Sequence, residues 1–498
     1  MAEIELLDTT MRDGNQSLWG ATGLNTAMMA AIAPTVDRVG FHAIDFITST
    51  HMAVAVRYLK ENPWERIRLI RAAMPRTPLS FLTTGMRFIS WELASPEVME
   101  LSFQLLARAG IRRFAVMDPM NDAKAMIGVA RLTRKTGVGQ VVAALTFTIS
   151  PLHDDDYFAG KARQLAASGA FDALYLKDPG GLLTPERARE LMPALKSAIG
   201  AATLELHSHC NIGLAPFSYL AGVEAGVTRL HVAARPLANG TSQPPAEQMV
   251  ANLRDLGHTL DVDDGALAQM SAYFAALAAA EGLEPGRPQE FDRSYFRHQM
   301  PGGMLTTLKR QLVEMKRPEL LARALEEVER VRAELGYPIM VTPFSQVVGA
   351  QAVMNVISGE RYGRLPDEVI RYALGRFGAP AAPLDQNVLD RVCANPRAKE
   401  LRDEPGMAPI AELRARFGKH LPDEELLLRA TMPPEQVDAM LAAGPIKLDY
   451  DPHARPLMRL IEDMAGRKDW GEIVVERPGL RLEMRRSAAA ASRMRPVV

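Results

Sequence analysis

Eight short apolar runs, separated by longer amphipathic stretches, occupy the first half of this chain and constrain what it can fold into. They are Ile4–Leu7, Ala43–Ile47, Leu79–Thr83, Arg113–Met117, Val141–Thr146, Ala173–Lys177, Thr203–His209 and Arg229–Ala233. Short strands alternating with helical patterns are the mark of repeated βα units. One intervening stretch is Glu97–Ala109, where Val98, Leu101, Leu105 and Leu106 fall near one helical face. Four helix exits carry a small or apolar residue before a glycine: Val39-Gly40, Ala109-Gly110, Ser168-Gly169 and Ala225-Gly226. Glycine adopts the left-handed conformation that closes a helix, and each of these four is soon followed by a strand. Eight strands with this punctuation predict an α/β fold, a (β/α)8 TIM barrel, over residues 1–262.

Beyond about Val262 the pattern changes to helices rich in Ala, Leu and charge, such as Gly265–Gly282 and Arg317–Gly336, with Met300–Met304 read as a loop. A mainly helical domain over 263–445, packed on the barrel, is expected. Leu457, Leu460, Ile461 and Met464 form a helical stripe before two short strands, Glu472–Glu476 and Leu480–Met484. This helix–hairpin is read as a small C-terminal module over 446–486. Residues 487–498 lack periodicity and are read as a disordered tail.

The balance of 58 Lys+Arg against 59 Asp+Glu gives a net charge of −1, which offers no electrostatic case for nucleic acid or an anionic membrane. Two cysteines provide no disulfide framework and fit a reducing, cytoplasmic setting. The start, MAEIELLDTT, has no basic region leading into an apolar core. No uncharged apolar run approaches the ~20 residues of a membrane span.

Barrel active sites lie at the C-terminal ends of the strands, so residues there are the first candidates. Strand alternation puts Glu205, His207 and His209 on one face. The two histidines read either as independently hydrogen-bonded side chains or as a nitrogen pair for a metal. With Asp13 they make a donor set suited to Zn, Mn or Co with positions open for substrate. Lys177 shares a face with Ala173 and Tyr175 and is an odd neighbour, because an ammonium repels a metal ion. Taken alone it reads as a lysine reaching into solvent; otherwise it is a neutral base, a counter-ion or a side chain modified into an anion. Arg12 could stabilise a developing enolate or carboxylate, yet beside Asp13 it reads first as half of a loop ion pair. Thr241 reads first as a helix N-cap, with Ser242-Gln243-Pro244 opening the helix.

Longer motifs carry a resemblance. Leu7-Asp8-Thr9-Thr10-Met11-Arg12-Asp13-Gly14-Asn15-Gln16-Ser17-Leu18 resembles the opening motif of the carboxyltransferase family of biotin-dependent carboxylases. That family includes the pyruvate carboxylase carboxyltransferase domain, the oxaloacetate decarboxylase α subunit and the central transcarboxylase subunit. The likeness continues through Arg57–Arg66, Leu176–Leu183, His207-Ser208-His209, Asn239–Pro244, His298–Gly303 and Val341–Gly349, covering roughly 3–440 in order. The resemblance implies a divalent metal held by positions matching Asp13, His207, His209 and an N-carboxylated Lys177. It implies that Thr241 shuttles a proton between biotin and the carboxyl acceptor, and that Arg12 and Gln16 contact substrate. Carboxybiotin would release CO₂ in the site, and an enolised acceptor would capture it.

Departures fall on the acceptor side. Thr84 stands where pyruvate-acting relatives place an arginine that clamps the substrate carboxylate, and threonine cannot supply a bidentate cation. Arg87 is a candidate to compensate. Ala53 replaces an aspartate and Trp91 a tyrosine. The acceptor is therefore expected to be an enolisable carbonyl compound other than pyruvate, and Thr84, Arg87 and Trp91 are expected to line its pocket. The chain has no Ala-Met-Lys-Met biotinylation motif, so biotin is expected on a separate carrier. The implied partners are a biotin carboxylase subunit and a biotin carboxyl carrier protein, with a homo-oligomer of at least two copies. The C-terminal helix–hairpin resembles the segment that precedes the biotinyl domain in bacterial carriers; the plainer reading is a docking or packing element. Two other functions fit the same residues: a biotin-independent metal lyase or decarboxylase, and a silent scaffold subunit that binds no metal.

Overall fold

Eight parallel strands, β1 (Glu5–Asp8), β2 (Ala43–Thr48), β3 (Leu79–Thr84), β4 (Ile111–Met117), β5 (Gln140–Thr146), β6 (Ala173–Asp178), β7 (Thr203–Ser208) and β8 (Arg229–Val232), close into a barrel in sequence order. β8 returns to pair with β1, with His231 opposite Leu7. This is a computed structural model, and it describes residues 1–90, 92–467, 471–477 and 480–485. Helices follow the strands on the outside, among them Pro96–Ala109, Pro185–Ile199 and Ala246–Asp255. Every residue of β2 and β6 is buried, because helices cover one face and the barrel interior the other. That double burial is why the strands read as apolar runs.

The four glycines at the helix exits all have positive φ: +94° at Gly40, +130° at Gly110, +65° at Gly169 and +98° at Gly226. At Gly40 space is short as well, since a Cβ there would collide with the carbonyl oxygen of Asp261. Gly40→Ala is therefore expected to lower the unfolding free energy by about 2–4 kcal/mol, from the left-handed backbone plus overpacking. Urea unfolding checks this, and an unchanged midpoint would contradict the geometry.

The helical region does not stand apart from the barrel: residues Met1–Asp449 form one compact unit. Val328, Val331, Leu335, Phe344 and Val348 make its core, and Met120, from the loop after β4, joins that core. Arg332 is buried and reaches the loop after β5, donating to the Ile149 carbonyl at 2.9 Å and to Thr148 Oγ1 at 2.9 Å. Met300–Met304 is not wholly a loop. The helix Gly302–Glu314 begins within it, and Gly302 comes so close to Thr241 that a Cβ would collide with the threonine methyl.

The second unit begins at Tyr450, four residues later than the sequence suggested. Its helix Arg455–Gly466 precedes an antiparallel pair, β9 (Glu472–Arg477) and β10 (Leu480–Arg485). The turn at Pro478-Gly479 and the tail from Arg486 lie outside the described residues.

Candidate metal centre and acceptor pocket

The register of β6 and β7 sets Lys177 directly beside His207, and alternation turns both into the barrel. One residue beyond the end of β7 comes His209, and the helical turn Thr10–Gly14 after β1 brings in Asp13. Asp13 Oδ2 lies 3.0 Å from His207 Nε2 and 3.3 Å from His209 Nε2, and the two nitrogens are 3.2 Å apart. These three residues offer ligand atoms all within 4.8 Å of one another. Lys177 is buried, with Nζ 3.5 Å from His207 Nε2 and 3.7 Å from Asp13 Oδ2. The solvent-facing reading of Lys177 is thus overturned, because the neighbouring strands and loops close over a side chain that the sequence shows only as a lysine.

The donor chemistry fits a divalent metal. The far nitrogen of each imidazole is engaged elsewhere: His209 Nδ1 is 2.6 Å from the Thr241 carbonyl and His207 Nδ1 is 3.1 Å from His231 Nδ1. Both Nε2 atoms are thereby left to face the carboxylate, the arrangement typical of metal-binding histidines. Gln243 also enters the centre, its Nε2 lying 3.0 Å from His209 Nε2 and 3.3 Å from Asp13 Oδ2.

Charge around the centre is tightly matched. Arg12 and Asp13 form an ion pair at 3.2 Å, as expected, but a buried one, and Arg12 Nε donates to Asp45 Oδ2 at 2.7 Å. Burial pushes the Asp13 carboxyl up, yet Arg12 and Lys177 hold it well below the ordinary value. Burial lowers the Lys177 amine, with Asp13 opposing. His207 is driven well below its usual value by burial and by Lys177. His51 caps the Arg12 backbone, with Nε2 at 3.1 Å from its carbonyl, and burial pushes its pKa down to about 3.

Arg12, Asp13, Lys177 and His209 line a cavity of about 640 Å³. Gln16 is exposed at its edge, and Thr241, Thr84 and Arg87 line its wall. The structure thus brings together every predicted site residue except Trp91, which lies outside the described residues. Thr84 closes β3 and brings a hydroxyl, not a charge, to that wall. Arg87 is buried and turned to the helical region: its Nη2 donates to the Arg376 carbonyl at 3.3 Å, and the guanidinium sits 5.2 Å from the Phe377 ring centre. Burial lowers its pKa and the nearby Asp118 raises it. Thr241 is not a helix N-cap. The next helix starts at Ala246 after Pro245, and Thr241 Oγ1 instead donates to the Ser17 carbonyl at 2.7 Å.

Asp45, His231 and Gln243 also belong to the site, and the sequence reading passes over them. Each had a signal, a polar group at an inward-facing position of a strand or inside a recognised motif: Asp45 within Ala43–Thr48, His231 within Arg229–Val232 and Gln243 within Asn239–Pro244.

Residues 296–445 match a conserved carboxylase domain family and residues 120–273 an HMGL-like family. A pyruvate carboxylase subunit from Methanocaldococcus jannaschii is 37% identical over 390 residues, covering 78% of this chain and 68% of that protein. The 2-oxoglutarate carboxylase large subunit of Hydrogenobacter thermophilus is 31% identical over 469 residues, covering 92% of this chain and 71% of that one. Among solved structures, the carboxyl transferase domain of Rhizobium etli pyruvate carboxylase with pyruvate superposes with a TM-score of 0.82 at 26% identity, covering 97% of this chain and 83% of that chain.

Proposed function

The chain belongs to the carboxyltransferase family of biotin-dependent carboxylases, and from that premise we propose that it moves CO₂ from carboxybiotin, held on a carrier protein, to an enolisable carbonyl compound other than pyruvate. The observation that carries the reaction type is the cluster of Asp13, His207, His209 and Lys177, of which Asp13, His209 and Lys177 open on a cavity that Thr241 also lines.

Asp13, His207 and His209 would hold a divalent metal, which when bound supplies Lewis-acid polarisation of the acceptor carbonyl. Lys177 joins them after modification. Its amine, favoured as the neutral form by burial, adds its lone pair to CO₂ and releases a proton, giving an anionic carbamate. The charge conflict noted for an ammonium then disappears. Arg12, anchored by Asp45 and Asp13, stands at the cavity floor as a fixed cation facing the enolate that forms on the acceptor. Thr241 takes the proton from the acceptor's α-carbon on Oγ1 while its own hydroxyl proton passes to biotin. The enolate carbon then bonds to the CO₂ that carboxybiotin has released. The biotin carboxylase and carrier functions are assigned to partner chains by analogy with relatives that are named as subunits of carboxylases. Among the described residues no helix is long and apolar enough to cross a membrane. The assignment to the cytoplasm follows from the reaction, which needs carrier and carboxylase partners, and from a composition with two cysteines.

Support for an acceptor other than pyruvate is the loss of an uncommitted cation at the acceptor end. Thr84 cannot clamp a carboxylate, and Arg87 already serves Arg376, Phe377 and Asp118. The names of the pyruvate and 2-oxoglutarate relatives describe those proteins. The test is fixation of labelled bicarbonate by the purified chain with biotin carboxylase, carrier and ATP, across a panel of ketones, aldehydes and 2-oxo acids. Pyruvate is expected to give a kcat/KM at least about 100-fold below that of a neutral carbonyl acceptor. Equal or better use of pyruvate would sink the acceptor assignment and leave the carboxyltransferase reading intact.

A further inference from the structure

Below the centre a column of buried polar groups runs toward the opposite end of the barrel. His207 Nδ1 meets His231 Nδ1 at 3.1 Å, and His231 Nε2 meets Glu205 Oε2 at 3.0 Å. Glu205 is fully buried between two cations: Arg113 Nη2 donates to its Oε2 at 2.5 Å and Arg229 Nη1 to its Oε1 at 2.5 Å. Arg229 continues to Glu5 with a contact of 2.5 Å. Strand pairing sets Glu205 beside Arg229, which places these residues in successive inward layers below Lys177 and His207. Glu205 shares a strand face with His207 and His209, yet it contacts His231 and the two arginines instead of Asp13.

The column has only one consistent arrangement of hydrogens. Glu205, flanked by two guanidinium groups, is an ionised carboxylate and can only accept. The hydrogen facing it must therefore sit on His231 Nε2. A neutral imidazole with its hydrogen on Nε2 offers a lone pair at Nδ1. The contact between the two Nδ1 atoms then requires its hydrogen on His207. The charges agree, since Arg113 and Arg229 are balanced by Glu205 and Glu5 and leave nothing for an imidazolium to neutralise. We propose that His231, oriented by Glu205, is a positioning residue that fixes the hydrogen of His207 on Nδ1 and so presents a bare Nε2 lone pair to the metal. His209 is set by a different device, the Thr241 carbonyl in the loop after β8, whereas His207 is set from inside the barrel by His231.

The inference rests on the metal reading of the centre, and its test separates the two. Co²⁺ affinity is measured by chelator competition on the full chain, for the parent and for His231→Phe and His231→Gln. Phenylalanine keeps a ring against Tyr175, whose centroid lies 4.7 Å from that of His231, and removes both nitrogens. Glutamine keeps an acceptor for His207 and a donor for Glu205. Loss of this support is expected to weaken Co²⁺ binding by about 10–100-fold in the phenylalanine variant and by no more than about threefold in the glutamine variant. A folded phenylalanine variant that binds like the parent overturns the positioning role, as does a glutamine variant as weak as phenylalanine. A parent that binds no Co²⁺ overturns the metal reading instead. Neutron diffraction of parent crystals provides an arm that needs no variant: nuclear density for a hydrogen is expected on His207 Nδ1, and density on Nε2 refutes the proposal even if His231→Phe does not fold.

Discussion

Changing His209 to alanine will strip the divalent metal from the centre and reduce carboxyl transfer by at least about 10³-fold, equivalent to ~4 kcal/mol of barrier. The expectation follows from geometry. His209 supplies one of three unmodified ligand groups, and its Nε2 sits 3.3 Å from Asp13 Oδ2 and 3.2 Å from His207 Nε2. Without His209 the metal keeps only Asp13, His207 and the modified Lys177, one protein ligand fewer than the set proposed above, and its affinity falls accordingly. Burial will not restore the lost ligand, since the Gln243 side chain next to it presents an amide nitrogen, 3.0 Å from the lost His209 nitrogen. Elemental analysis of the purified variant, alongside bicarbonate fixation with the partner proteins, gives both halves of the result. A variant that keeps stoichiometric metal, or one that loses the metal and still transfers carboxyl groups, would contradict the assignment. His209 lies at the mouth, beyond the end of β7, and its substitution leaves the barrel core untouched, so folding should survive.

Thr241→Val should divide the chemistry differently. Valine is close in shape to threonine, and it removes the hydroxyl that we assign to proton transfer while leaving the backbone carbonyl that orients His209. Metal content is expected to stay at the parental level, and carboxyl transfer to fall by about 10²–10⁴-fold, the usual worth of a positioned proton-transfer group. Thr241→Ser, which retains a hydroxyl, should recover most of the lost rate. An unaffected rate would show that Thr241 acts only through its backbone, and loss of metal in the valine variant would show that its hydroxyl supports the centre instead of the proton transfer. Gly302 packs against the threonine methyl. For that reason valine is a cleaner test than a larger residue.

Much of the fold was legible because barrel strands are buried on both faces, which leaves β2 and β6 as nearly unbroken apolar runs between glycine-closed helices. The polar residues at their ends pointed to the correct mouth. The failures share a cause. Whether Lys177 reaches solvent or the interior depends on what the neighbouring strands and loops place above it, and a lysine looks the same in either setting. Thr241 precedes Ser242-Gln243-Pro244-Pro245-Ala246, where a helix can start at several positions. The chain chose Ala246, and the threonine hydroxyl turned to Ser17. Asp45 and His231 hold the site from inside strands, where a reading focused on strand ends passes over them and only strand register supplies the partner. Gln243 sat in view within Asn239–Pro244 but read as the opening of a helix, and its contacts with His209 and Asp13 appear only once the loop is folded.

The order of the strands around the barrel has a consequence for how such enzymes can change. Asp13, Lys177, His207, His209 and Thr241 lie in or just after β1, β6, β7 and β8, which are consecutive around the closed sheet. Thr48, Ser49, Thr84, Arg87 and Met117 come from the other arc, β2 to β4. In the reading proposed above, the first arc carries the metal and proton-transfer groups, and the second supplies most of the remaining wall of the acceptor pocket. Loops after β3 and β4 can therefore be exchanged with less effect on the ligand atoms than β2, whose Asp45 and following His51 hold Arg12 beside Asp13. Grafting the loops after β3 and β4 from a relative with a different acceptor is the exchange that this division favours for giving one member of the family the diet of another.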